Sequence, residues 1–360
     1  MNQKSLLDFS YQKRTLRFTF DAGTSRGVLK ERDVYWIRVY DSETAKEGWG
    51  EAAPLIGLSI DHQPEFEATL KESLEKASEK RWPTNEGEIL EFIETLISGE
   101  LPSIRFGLEG ALLDLHSGGN RKYLKNDFKE SGKEIPINGL IWMGSKEFML
   151  DQIEKKLEEG FTCIKMKIGA IDFQQELDLL SFIRERFDSS QITLRVDANG
   201  AFTPENALEK LNNLAQFDLH SIEQPIMANQ IDEMAKLCSE TPVPIALDEE
   251  LIGVQNKEEL LDAISPQFII LKPTLVGGIL QTKRWIQAAE SRGIGWWMTS
   301  ALESNIGLNV IAQLTSSYNP QIPQGLGTGK LYHNNLESPL EISGGKLKYR
   351  NDLSWEDPFQ

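Results

Sequence analysis

Cysteine is scarce: only Cys163 and Cys238 occur among 360 residues, far apart and in apolar or helical surroundings. Two such residues build neither a disulfide framework nor a cysteine-based zinc site, and they favour a reducing compartment. Histidine is also rare, with His62, His116, His220 and His333 the full set. No apolar run approaches the ~18 residues of a membrane span, and Met1–Ser10 has neither a sustained apolar segment nor a small-residue cleavage site. Positive charge is in deficit, at 38 Lys+Arg against 55 Asp+Glu, for a formal net charge of −17. That excess repels nucleic acid and anionic membranes over most of the surface. The expectation is a soluble cytoplasmic protein acting on a small molecule, with no nucleic-acid or membrane partner. Its oligomeric state is left open.

What is present is a globular composition, 40% hydrophobic and 9% aromatic, too apolar for disorder. The length suggests two domains, or one barrel with an attachment. The first third reads as α+β. Leu16–Phe20 and Val34–Tyr40 are strand-like, and amphipathic helices follow over roughly 64–80, 86–98 and 102–116. From about residue 135 the pattern becomes a strand–helix alternation. Apolar runs end at Lys167, Asp197, Glu223, Asp248, Lys272 and about Thr299, at intervals of 24 to 30 residues. With a strand near 136–142 and another near 322–326, about eight strands result. A regular βα period of this size argues for a (β/α)8-type barrel over a doubly wound sheet. Ser338–Tyr349 reads as a hairpin turning at Gly344-Gly345 and is expected to pack back on the N-terminal unit.

The chemistry lies in which residues end the strands, because barrel active sites sit at the carboxyl ends. Asp197, Glu223 and Asp248 close three consecutive strands. One such acid alone reads as a solvated strand terminus or a helix cap. Three at matching positions, without His or Cys, describe a hard oxygen site suited to Mg2+, with Mn2+ as a substitute. Lys165 and Lys167 share one side of the strand before the acids, and Lys272 follows them. In a barrel of this order Lys167 and Lys272 face opposite sides of a bound substrate. A free lysine has a pKa of about 10.4; burial, a neighbouring cation and a metal all lower it. A lysine so placed is suited to removing a proton α to a metal-held carboxylate.

These residues resemble a known family. Lys165-Met-Lys167, Asp197-Ala-Asn199, Glu223-Gln-Pro225, Asp248-Glu249 and Lys272-Pro273 are similar to the muconate-lactonizing subgroup of the enolase superfamily. The resemblance covers the whole chain and implies a modified (β/α)7β TIM-type barrel over 135–326. An α+β capping domain would comprise 1–134, with 327–360 returning to it. It further implies Asp197, Glu223 and Asp248 as Mg2+ ligands, Lys167 as acid/base with Lys165 beside it, and Lys272 as the opposing cation. Asn199 and Glu249 would orient the ligands. No histidine falls at the seventh strand, unlike the mandelate-racemase-like subgroup.

Within the subgroup, Thr24-Ser-Arg-Gly27, Trp49–Pro54, Arg195, Ser300–Gly307 and Pro323–Gly329 resemble members that dehydrate 2-succinyl-6-hydroxy-2,4-cyclohexadiene-1-carboxylate to o-succinylbenzoate in menaquinone biosynthesis. Racemisation of N-succinylamino acids on the same scaffold is the alternative. Gly325-Leu-Gly-Thr-Gly329 stands where dipeptide epimerases carry an acidic pair, which favours a carboxylate-bearing substrate over an amine. The expected substrate contacts are Ser25 and Arg26 in a cap loop, Arg195, Thr299, Ser300 and Gly325. Trp296-Trp297 is expected to fill the barrel core and its helix interface.

Overall fold

The computed structural model describes residues 7–24 and 27–358. Strand β1 (Asp8–Thr24) and strand β2 (Gly27–Asp41) form a long antiparallel hairpin, to which β3 (Lys46–Ala52) adds a third strand. The hairpin is longer than its two apolar runs because its polar arm alternates by face. Phe9 and Tyr11 pack on a helical layer, whereas Leu16 and Phe18 face the other way. The helices are α1 (Phe66–Ser78), α2 (Glu86–Leu96) and α3 (Pro102–His116). Asn85 caps α2, its side chain accepting from the Glu88 amide at 2.9 Å, and Pro102 opens α3. Glycines bring α3 onto β3: a Cβ built on Gly50 would lie 1.9 Å from the Gly107 carbonyl oxygen. Helix α3 is buried on nearly every side, since it lies between the sheet and the rest of the molecule.

After a short α4 (Asp127–Glu130) and β4 (Ile135–Pro136) comes the parallel sheet. Its strands are β5 (Gly139–Ile141), β6 (Cys163–Lys167), β7 (Thr193–Asp197), β8 (Ser221–Glu223), β9 (Ile245–Leu247), β10 (Phe268–Leu271) and β11 (Gly295–Met298), neighbours in chain order. Between them run α5 (Lys146–Glu158), α6 (Phe173–Arg184), α7 (Pro204–Leu214), α8 (Ile231–Glu240), α9 (Lys257–Ile264) and the pair α10 (Pro273–Val276) and α11 (Gly278–Glu290); α12 (Asn305–Ser317) follows β11. The eighth position, expected near 322–326, is only Gln324-Gly325. The Gln324 amide donates to Pro136 at 2.8 Å and the Gly325 amide to Met298 at 2.8 Å, while Asn138 and Ser300 donate back. These bonds join β5 to β11 and close a (β/α)7β barrel. Pro323, without an N–H, prevents a longer strand.

The tail meets the expectation in part. β12 (Leu340–Ser343) and β13 (Lys346–Tyr349) turn at Gly344 and Gly345, with φ of 58° and 66°. This hairpin pairs with β4 through Leu347 and Ile135, and not with the N-terminal sheet. Leu347 joins a core shared by barrel residues and by Leu113, Tyr123, Leu124 and Phe128 of the N-terminal unit, and the Tyr349 ring lies 5.8 Å from that of Phe128. The stretch before it does reach β1: Thr19 donates to Leu331 at 2.8 Å, and His333 to Arg17 at 2.9 Å.

Two buried glutamates tie the N-terminal unit to barrel helices. Glu51 of β3 accepts from the Ser304 and Gly307 amides at 2.8 and 2.9 Å, at the start of α12. Glu109 of α3 accepts from the amides of Ile279 and Leu280 at the start of α11. Helix N-termini offer unpaired N–H groups and partial positive charge. Burial nevertheless pushes Glu51 up to about 7 and Glu109 up to about 8. The unfolded chain releases these protons near 4.5, so folding takes up protons between that value and about 8. Stability is therefore expected to fall as pH rises through this window and then level off. Urea unfolding across the window should show the decline, and Glu109→Gln should flatten it; an unchanged slope in that variant counts against Glu109 as its source.

Candidate active site

The strand register brings the predicted residues together. Lys167 lies beside Asp197, and Asp197 beside Glu223, on three adjacent strands. Asp248 follows β9 by one residue, and Lys272 follows β10 likewise. Lys165 Nζ lies 3.0 Å from Asp197 Oδ2 and also contacts Glu223 Oε2. Lys167 Nζ donates to the same Asp197 oxygen at 3.0 Å and to Asn199 Oδ1 at 2.7 Å. Lys272 Nζ contacts Asp248 Oδ2. The lysines therefore point into the barrel, a question strand periodicity alone leaves open.

Their charges set each other. Burial opposes the charge of Lys165, but Asp197 and Glu223 hold its pKa above the ordinary lysine value. Asp248 does the same for Lys272, again against burial. Asp197 is buried, yet Lys165 and Lys167 hold it well below the usual carboxylate range. Glu223 goes the other way, raised by burial and by the neighbouring Asp197.

Among the described residues no three His, Cys, Asp or Glu side chains are already gathered as a metal cage; the three acids lean on lysines instead. The donor set nevertheless fits a hard cation. It is all carboxylate, and Glu223 Oε1 is buried without a hydrogen-bond partner. Asp197, Glu223 and Asp248 are the residues able to hold it.

Two backbone positions with positive φ shape this rim, Asn199 at 44° and Gln224 at 38°. The Asn199 amide donates to Asp197 at 3.0 Å, and its side chain donates to Glu249 at 3.1 Å. Gln224, quoted in the sequence only as part of a motif, accepts from the Asp248 amide at 3.1 Å and donates to Glu250 at 3.1 Å. It positions Asp248, and no sequence signal distinguishes it from a solvated glutamine.

The cavity above these groups measures about 1080 Å3 and is lined by Lys165, Lys167, Asp197, Asn199 and Lys272, under Val28, Leu29, Leu55 and Ile56 of the N-terminal unit. Thr299, Ser300 and Gly325 line it as expected. Thr299 Oγ1 is buried and unpartnered, whereas the Ser300 hydroxyl is committed to Glu303 at 2.5 Å and accepts from Thr328 at 2.8 Å. Asn138, Thr328 and Glu303 were missed by sequence reasoning. Asn138 also lines the cavity and has a buried, unpartnered Oδ1.

Arg195 requires correction. It is not among the lining residues: two positions before the strand end its side chain faces the interior one layer deeper. There it donates to the Pro323 carbonyl at 2.8 Å and stacks at 4.1 Å on Trp297, which is itself buried. Ser25 and Arg26 lie outside the described residues. No helix among the described residues is long and apolar enough to cross a membrane.

A capped (β/α)7β barrel whose strand ends carry lysines against three acids defines a class of barrel enzyme. Residues 149–352 match the family described as enolase C-terminal domain-like. The o-succinylbenzoate synthase of Desulfotalea psychrophila is 47% identical, covering 95% of this chain and 98% of that one. An N-succinylamino acid racemase from Amycolatopsis sp is 25% identical, covering 90% and 87%. The crystal structure of MenC from Desulfotalea psychrophila superposes with a TM-score of 0.86 at 43% identity, covering 96% of this chain and 100% of that one. The chain belongs to the enolase superfamily.

Proposed function

We propose that this protein is a lyase that dehydrates 2-succinyl-6-hydroxy-2,4-cyclohexadiene-1-carboxylate to o-succinylbenzoate in menaquinone biosynthesis, with Mg2+ held by Asp197, Glu223 and Asp248. The observation that carries the reading is the pair Lys167 and Lys272 lining one cavity from opposite sides of the barrel. The 47% identity to a synthase over nearly the full length supports the same substrate.

A bound Mg2+ supplies positive charge for the ring carboxylate and for the negative charge that grows on it as the α-proton leaves. Lys167, held between Asp197 and Asn199, takes that proton. The electron pair of the broken C–H bond moves into the ring and expels the hydroxyl on the same face. Lys167 returns its proton to the hydroxyl, which leaves as water, and the ring becomes aromatic. Lys272, on the opposite side, stabilises the negative charge that develops on the ring by its own charge and by cation–π attraction. Lys165 restrains Asp197 and Glu223. The apolar cap residues Val28, Leu29, Leu55 and Ile56 keep water from the developing charge.

The test is a continuous ultraviolet assay with the cyclohexadiene substrate, with Mg2+ and then with EDTA. Mg2+-dependent loss of diene absorbance is expected. Silence from folded, metal-loaded protein would remove the synthase reading and leave the fold. Asp197→Asn should weaken Mg2+ binding by about tenfold or more, read by metal titration; unchanged affinity would contradict its role as a ligand.

N-succinylamino-acid racemisation is the second reading, favoured by the retention of lysines on both sides of the cavity. α-Proton exchange of N-succinyl-phenylalanine in D2O distinguishes it; no exchange and no racemisation would eliminate it.

A further inference from the structure

Away from that cavity Lys257 and Arg105 are buried side by side without a salt bridge; Arg32, Arg121 and Arg195 are likewise buried without one among the described residues, but elsewhere. Lys257, the first residue of α9, is 8% exposed, and its Nζ donates to the neutral amide oxygen of Gln281 at 2.7 Å. Arg105 of α3 is 9% exposed, and its guanidinium donates to the carbonyls of Ile97, at 2.9 and 2.7 Å, and Glu94, at 3.2 Å. Its Nη1 makes no hydrogen bond among the described residues, and neither cation forms a salt bridge there. Buried charges are ordinarily paired, because desolvation without a counter-charge is costly.

Both cations line a second cavity, of about 650 Å3. It lies between the α2–α3 connection on one side and α9 and α11 on the other. The acids nearby are already engaged. Glu94 takes a two-pronged contact from Arg284, with Nη2 donating to Oε2 at 2.8 Å, and also accepts from Gln281 at 2.6 Å. Asp262 is taken by Arg292 at 2.7 and 2.9 Å. Glu258 is exposed. Burial and then the charge of Arg284 hold Lys257 below its ordinary pKa, while Trp285 offers only a ring face 5.4 Å away. In a chain of net charge −17, this pocket gathers four cations, Arg105, Lys257, Arg284 and Arg292, against the two lining acids Glu94 and Glu258, whose charges act on the buried pair from beyond salt-bridge distance.

We propose that this cavity binds a small oxyanion, of phosphate or carboxylate type, held by Lys257 and Arg105 and walled by Arg284 and Arg292. Such a ligand bridges α3 to α9 and so ties the N-terminal unit to the barrel. Because it binds the folded form, it raises thermal stability in proportion to occupancy. Lys257 and Arg105 supply donors to two sides of the anion, and the amide of Gln281 keeps the ammonium in place.

The experiment follows thermal unfolding of the full-length protein against inorganic phosphate, succinate and chloride at constant ionic strength. A saturable rise in Tm of several degrees is expected with an oxyanion and none with chloride. A rise with phosphate alone assigns a phosphate-type ligand, and a rise with succinate alone a carboxylate type. No saturable rise, or the same rise with chloride, overturns the proposal. Lys257→Met should weaken the response by about tenfold or more, whereas Lys257→Arg should retain it. If Lys257→Met does not fold, Lys257→Gln, whose amide can still donate to Gln281, carries the same expectation. A rise that survives loss of the Lys257 charge, or that parallels competitive inhibition of turnover, places the anion in the active site and also overturns the proposal.

Discussion

Lys167→Ala is expected to lower kcat by about 10^4-fold, near the upper end of what a positioned acid–base group contributes, while leaving Mg2+ affinity and the fold intact. The local geometry explains why the two effects should separate. Lys167 shares Asp197 Oδ2 with Lys165, each at 3.0 Å. Removing Lys167 therefore leaves Asp197 charged and held by its other partner. Asn199 loses one contact but keeps its bond to Glu249, so the rim stays in place. Turnover, by contrast, loses its proton carrier, and no other described lysine occupies that position between Asp197 and Asn199. Steady-state kinetics and metal titration on the same preparation check both halves. Activity near the wild-type level would remove Lys167 as the base.

Gly50→Ala is expected to destabilise the fold by about 3 kcal/mol or more, at the severe end of overpacking. The added methyl would lie 1.9 Å from the Gly107 oxygen and 2.7 Å from the Ala111 nitrogen. Both are backbone atoms of α3, so no side-chain rotation relieves the overlap; the helix must move off the sheet. Gly87→Ala serves as control, because its methyl would meet only Asn85 Oδ1, at 3.7 Å, within a helix that favours alanine. Urea unfolding should place the two variants on opposite sides of the wild type. Equal stability of Gly50→Ala and the wild type would show that β3 and α3 are not packed as closely as described.

Much of this architecture is legible in the sequence because the barrel repeats. The strands ending at Lys167, Asp197 and Glu223 stop where the apolar runs stop, and those before Asp248, Lys272 and Thr299 end one residue earlier. Helix α3 begins and ends where its periodicity and Pro102 place it. The closing strand stands where the sequence places it but is shorter, since Pro323 has no N–H and only Gln324 and Gly325 bridge to their neighbours. The tail hairpin is legible from its turn, and it meets Phe128 and Glu134 of the N-terminal unit, but a turn signal does not say that its ladder partner is β4. Arg195 was drawn into the site by its proximity to Asp197 in the chain, yet a two-residue step along an inward strand moves a side chain down a layer, toward Trp297. Gln224 and Glu303 lie inside quoted motifs without a role assigned to either, because Asp248, Glu250 and Thr274, which they bind, are 24 to 29 residues away; Asn138 lies in no motif, and its Oδ1 has no partner within the chain. Glu51 on a strand and Glu109 on a helix are hidden for a similar reason: an acid on either element reads as solvated until a second layer covers it.

Those two glutamates also bear on how such a protein can be recombined. The amide ends of α11 and α12 are completed by side chains that lie more than a hundred residues earlier in the chain. A barrel excised from this protein would therefore carry two helices with bare amide ends. A chimera with a foreign cap would inherit the same defect unless that cap supplied acids at both places. The two halves are interchangeable in outline but not in detail, and inheritance of the catalytic barrel is coupled to inheritance of a cap that touches none of its reacting groups through these two residues.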